Sequence, residues 1–215
     1  AGKRATILFD GAMSHANVYI NGQKVGYWPY GYNSFHFDIT KYLKPGEKNT
    51  LAVRLENLPE SSRWYPGAGL YRNVHLIITE DAYIPVWGTY ITTPSVNEKF
   101  AKVNVRTKVV LPEGADPAKY SVETSVWNPN KQKLTAVRTS LAQMKYNNNQ
   151  AEQEFVIQAP SLWSPEMPAL YSAETRLYEG DKLKDIYTTP FGIRSIEIIP
   201  DKGFFLNGKR DRKSV

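Results

Sequence analysis

Arg63, Trp64 and Tyr65 stand in a row within SSRWYPGAGLYRNVHL, which runs from Ser61 to Leu76. A guanidinium offers a planar fork of donors suited to hydroxyls or a carboxylate. Neighbouring aromatic rings can stack on the C–H face of a sugar. Pro66 biases Tyr65 toward extended backbone, and Gly67 and Gly69 free the chain to turn sharply. The stretch reads as a bent, aromatic, donor-bearing corner ahead of a strand that starts near Val74. An alternative role is structural, with Trp64 sealing an interface between domains. In either case the corner contains no candidate acid or base, so the three residues are candidates for substrate binding and not for catalysis.

Other reactive chemistry is sparse. His15, His36 and His75 lie far apart and show no metal-ligand spacing, so neither a metal nor any other cofactor is expected. No GxSxG elbow and no phosphate-cradling glycine loop occurs. Cysteine is absent, which excludes disulfides, thiolate catalysis and Cys-ligated zinc. Asn97-Glu98 is a dipeptide that carries acid/base chemistry in some glycosidases. Here it sits in PSVNEKFAK with no apolar barrel strand leading into it, and reads as a loop.

Aromatic density is the more informative signal. Tyr27, Trp28, Tyr30, Tyr32, Phe35 and Phe37 fall within eleven residues. Phe35 and Phe37 alternate and are expected in a core. Pro29 and Gly31 keep Tyr27 to Tyr32 from being one regular strand. Each ring can bury ~150–250 Å², against a sugar or against another domain.

The elements that must position these residues are strands. Val18 and Ile20 alternate before an Asn21-Gly22 hairpin signal and a returning QKVG. Phe35, Phe37 and Ile39 share one parity. Leu51, Val53 and Leu55 share another, as do Val74, Leu76 and Ile78, and all are expected to be half-buried. After Glu80 to Pro85 the pattern resumes. Val103, Val105, Thr107 and Val109 fall on one face, and so do Tyr120, Val122, Thr124 and Val126. EFVIQAP follows, then a last pair around Glu179-Gly180-Asp181. Roughly seven strands in about 110 residues is the size of an immunoglobulin-like sandwich. Ser140 to Gln153 could form a short helix, although KYNNNQ reads more as a hairpin tip. Ile196 and Ile198, then GFFLNGK with an Asn207-Gly208 turn, suggest a third unit of two strands.

The 215 residues are 41% apolar and 22% charged, which suits globular domains. No apolar run is long enough to span a membrane. The net charge is +6, of which KRDRK at Lys209 to Lys213 carries +3. The remainder is scattered rather than gathered on a face, so nucleic acid is not an expected partner.

The stretch FDGAMSHANVYINGQKVGYWPYGYNSFHFDIT, with NTLAVRLEN and SSRWYPGAGLYRNVHL, resembles the N-terminal sugar-binding domain of glycoside hydrolase family 2, especially bacterial β-galactosidases. LWSPEMPALYSAETRLYEGDK and FGIRSIEI resemble the end of that family's immunoglobulin-like second domain, and GFFLNGK the lead-in to its catalytic (β/α)₈ barrel. The resemblance implies an all-β chain. Residues 1–82 would be the C-terminal part of an incomplete jelly-roll, galactose-binding-like sandwich. Residues 83–191 would be an immunoglobulin-like β-sandwich, and 192–215 the lead-in to a truncated barrel. It implies a retaining hydrolase of β-galactosides or related sugars, using two glutamates ~5–5.5 Å apart on a barrel. Barrel and glutamates are missing from this sequence, so the chain alone is expected to be inactive. Its partners would be carbohydrate and its own catalytic barrel. A free-standing carbohydrate-binding module, a sandwich pair that mediates assembly through exposed aromatic patches, and a β-glucuronidase or β-mannosidase of the same family are the alternatives. A periplasmic or secreted location is favoured over a cytoplasmic one. The sequence assigns no oligomeric state.

Overall fold

A computed structural model describes residues 2–60, 67–142 and 150–211. By compactness the chain divides into two units, Ala1–Asp81 and Ala82–Val215.

The first unit carries six strands: β1 (Lys3–Phe9), β2 (Ala16–Ile20), β3 (Gln23–Trp28), β4 (Phe35–Asp38), β5 (Leu51–Arg54) and β6 (Val74–Glu80). They form two three-stranded antiparallel sheets, ordered β4-β1-β6 and β3-β2-β5. Alternation puts Ala5, Ile7 and Phe9 of β1 and Ala16, Val18 and Ile20 of β2 into one core, with Phe35 and Ile39. Phe9 stacks on Phe35 with ring centroids 4.8 Å apart, and Trp28 stacks on Phe35 at 5.6 Å. Asn21 and Gly22 both take positive φ, 51° and 79°, the geometry of the tight turn their types predict. The Asn21 amide also donates to Tyr42 O and to Asn49 Oδ1, which ties the β2–β3 hairpin to the loop before β5.

One expectation fails in this unit. Val74, Leu76 and Ile78 do share a face, opposite Phe9, Ile7 and Ala5 in register. Yet they are 38%, 62% and 50% exposed, while their partners are essentially buried. The reason is topological: among the described residues β6 is an outer strand of its sheet, and Leu51 on β5, an outer strand of the other sheet, is 40% exposed as well. The alternation is present, and no described strand lies beyond it.

The second unit contains β7 (Thr89–Val96), β8 (Phe100–Lys108), β9 (Tyr120–Trp127), β10 (Lys133–Ser140), β11 (Gln150–Gln158), β12 (Tyr171–Glu179) and β13 (Lys182–Phe191). They build sheets ordered β10-β9-β12-β13 and β11-β8-β7. Val103, Val105, Val126, Phe155, Ile157 and Tyr171 share one cluster between them, and Tyr120, Val122, Leu141 and Leu177 another. Four strands over three is a sandwich of immunoglobulin size. β10 and β11 belong to different sheets; residues 143–149, where the short helix or the KYNNNQ hairpin tip was expected, lie outside the described residues. Gln153 on β11 reaches across, its amide donating to Val137 O at 3.0 Å and Val122 O at 3.3 Å.

Ile196–Ile199 (β14), Gly203–Leu206 (β15) and Lys209–Arg210 (β16) form a small antiparallel sheet grouped with the second unit. Asn207 takes φ 51° and Gly208 φ 73° at the turn. The Asn207 side chain accepts from Ser195 N and donates to Trp163 O. Trp163 in turn packs on Gly192, where a Cβ would lie only 2.8 Å from the Trp163 side chain.

Candidate functional site

Arg63, Trp64 and Tyr65 fall within residues 61–66, outside the described residues. The residues that follow them in sequence are described. Gly69, at φ 121°, exchanges two backbone hydrogen bonds with Met13, which ties it to the loop after β1. Tyr71 donates its hydroxyl to Gly31 O at 2.8 Å. Arg72 Nη1 donates to Asp10 O at 3.3 Å and Tyr32 O at 3.2 Å, with its guanidinium 5.1 Å from the Tyr71 ring centroid. His75 Nε2 lies 3.1 Å from Asp10 Oδ2. Three loops, one after β1, one after β3 and one before β6, are thereby tied together at one end of the first sandwich.

Two glycines make this close approach possible. A Cβ on Gly31 would sit 2.4 Å from Met13 Sδ, and one on Gly11 would sit 2.9 Å from the Tyr71 hydroxyl. With the backbone held so tightly, the rings turn outward. Tyr30 and Tyr32 meet edge to face at 5.5 Å, and they remain 53% and 39% exposed. Tyr27, whose hydroxyl lies 2.7 Å from His15 Nδ1, is exposed too, as is Tyr71. The arrangement offers several rings for stacking on an apolar sugar face, edged by the Asp10, Arg72 and His75 polar groups.

Tyr27, Tyr30 and Tyr32 belong to the aromatic run singled out in the sequence. Tyr71, Arg72, Asp10 and His75 were missed as partners. Asp10 and Arg72 are separated by 62 residues, and no local pattern announces such a contact.

The second unit holds an open cleft of about 600 Å³, lined in part by Glu98, Glu166, Lys209, Arg210 and Asp211. Glu98 comes from the Asn97-Glu98 dipeptide. Asn97 uses its side-chain oxygen to accept from Lys99 N and Phe100 N, shaping the turn between β7 and β8. That is a structural use of the dipeptide. Among the described residues no group of three or more potential metal ligands occurs, and no helix is long and apolar enough to cross a membrane.

The first sandwich, with its exposed aromatic loops, and the second, of immunoglobulin size, together define an all-β chain of two sandwiches. Residues 1–80 match the description "Glycosyl hydrolases family 2, sugar binding domain" and residues 83–194 match "Glycosyl hydrolases family 2". The chain belongs to glycosyl hydrolase family 2. It is 39% identical to Beta-galactosidase BoGH2A of Bacteroides ovatus over 213 residues, covering 99% of this chain and 25% of that protein. To a putative beta-glucuronidase of Formosa agariphila it is 38% identical, covering 96% and 19%. A family 2 member from Bacteroides cellulosilyticus superposes with TM-score 0.86 at 34% identity, over 97% of this chain and 27% of that one. A beta-glycosidase from Bacteroides vulgatus gives 0.84 at 31%, over 97% and 26%. The chain therefore spans about a fifth to a quarter of the curated relatives named here.

Proposed function

We propose that these residues form the non-catalytic, sugar-facing part of a longer β-galactosidase-like hydrolase that cleaves β-linked galactosides with retention. The observation that carries this reading is the coverage. The chain aligns along 99% of its own length but along only 25% of its β-galactosidase relative. The two glutamates of a retaining mechanism would then come from a barrel in polypeptide outside these residues. In that enzyme Arg63, Trp64 and Tyr65 line the substrate subsite.

Three assays test the reading. Pure 215-residue chain should release no nitrophenol from a nitrophenyl β-galactoside; measurable release contradicts it. In a full-length enzyme, Arg63→Ala and Trp64→Ala should raise KM or lower kcat, and unchanged values for both remove the subsite role. A β-glucuronide is the second substrate reading, favoured by the 38% identity to a putative beta-glucuronidase. Comparing galactoside and glucuronide turnover by the full-length enzyme decides between them.

A further inference from the structure

We infer that the core of the second sandwich binds one internal water molecule, held by the side-chain oxygens of Thr107 and Gln153.

The interior of this sandwich changes character at one level. Two buried apolar clusters lie along it, and four strands each carry a polar residue where one cluster gives way to the other. On β8 and its continuation Thr107 stands between Val105 and Val109. On β9 Thr124 stands between Val122 and Val126, and on β11 Gln153 stands between Ala151 and Phe155. On β12 Thr175 stands between Tyr171 and Leu177. The strand period of two turns all four inward, and none is more than 5% exposed. The site lies wholly within the second unit.

Hydrogen bonds are shared unevenly along this polar row. Thr124 and Thr175, opposite each other in register, bring their hydroxyls to 3.4 Å. The Gln153 nitrogen faces Val137 O at 3.0 Å, Val122 O at 3.3 Å and Thr139 Oγ1 at 3.4 Å. Two of these are carbonyls, which only accept, so the amide cannot be turned round and its oxygen must find another donor. That oxygen, Gln153 Oε1, is shut off from solvent, as is the Thr107 hydroxyl oxygen. Neither has a hydrogen-bond partner among the described residues. Buried polar groups in folded proteins are nearly always paired, and ordered water serves where no protein group reaches.

The chemistry selects water as that partner. Gln153 Oε1 only accepts, whereas the Thr107 hydroxyl both donates and accepts, so one water satisfies the two together. The Thr124–Thr175 pair supplies the third contact, which makes the about three hydrogen bonds usual for an internal water. Thr124 pairs in register with Val137, whose carbonyl holds the Gln153 amide. All four residues are neutral, so an ion in their place would be left uncompensated. Gln153 pairs with Val105 and Ala151 with Thr107, which makes Thr107 and Gln153 diagonal neighbours on adjacent strands. Ala151 contributes only a methyl group beside the Thr107 hydroxyl.

A crystal structure of the 215-residue chain that resolves ordered water tests this directly. The expected result is a water within hydrogen-bond distance of both Thr107 Oγ1 and Gln153 Oε1. Thr107→Ser keeps the hydroxyl and should keep the water, while Thr107→Val, of nearly the same shape, should lose it. No water at that position in the unaltered chain overturns the proposal. So does a water bonded to only one of the two oxygens, or one that persists in Thr107→Val. Solution NMR gives a readout that needs no variant. Magnetisation transfer from water should reach the methyl groups of Val105 and Val122, which border the site, and not those of Val103, deeper in its apolar cluster. Transfer to none of the three, or equally to all, overturns the site. The melting curve adds a sign: removing an unpaired hydroxyl raises the thermal midpoint, whereas removing one that holds a water lowers it by a few degrees. A raised midpoint in Thr107→Val therefore also overturns it.

Discussion

Gly26 shows how much a single position can decide. Any side chain there would drive into the Phe37 ring, with a Cβ 2.2 Å from its nearest carbon. A ring packed against the core cluster has little room to retreat. Overpacking of this kind costs about 1–3 kcal/mol, so Gly26→Ala should lower the thermal midpoint of the first sandwich clearly, measured by circular dichroism. An unchanged midpoint would mean that Phe37 is free to move. At the same scale, Tyr30 and Tyr32 are predicted to act through their outward faces. If this chain binds a galactoside, Tyr30→Ala and Tyr32→Ala should each weaken that binding in calorimetry while leaving the melt in place. A loss of both affinity and fold would mark them as structural. The aromatic run was legible as a string of letters, because six rings in eleven residues need no partner to be noticed. The Asp10, Arg72 and His75 constellation was not, because its members meet only after β1 and β6 have paired.

At the scale of elements, alternation placed nearly every strand. Val103, Val105, Val122, Thr124 and Val126 are buried as their period of two predicts. Periodicity states which residues share a face and is silent on what covers that face. That is why Val74, Leu76 and Ile78 were assigned correctly to one side and wrongly to a half-buried environment. The same silence concealed that β10 and β11 belong to different sheets, since a strand's sequence does not name its sheet. A further element-scale contact is Asp185 on β13, whose carboxylate accepts from Ile84 N at 2.8 Å and Ile186 N at 2.9 Å. Burial pushes its carboxyl above the ordinary 3.8, outweighing the pull of those two amides in the other direction. A raised folded-state value means the folded chain holds its proton more tightly. The associated stability is fully present below the ordinary carboxylate range and is lost as pH rises through the raised value. Urea melts between about pH 3 and pH 6 should show this decline. Asp185→Asn should flatten it, and an unchanged pH slope in that variant would assign the titration to another group.

For the whole molecule, the family was legible in the sequence through long, ordered motifs and not through any single residue. Matches over residues 1–80 and 83–194 bear it out. The substrate was not legible, since relatives of nearly equal identity carry the names of two different glycosidases. The molecule divides into two compact units at Asp81/Ala82, and each keeps its own core.

The reach of Gln153 into the facing sheet has a practical corollary. Its bonds to Val122 O and Val137 O join β11 to β9 and β10 of the facing sheet directly. Truncating this one amide removes both links at once, at a cost of about 1–3 kcal/mol for buried groups left without a partner, so position 153 is a single handle for loosening one layer against the other.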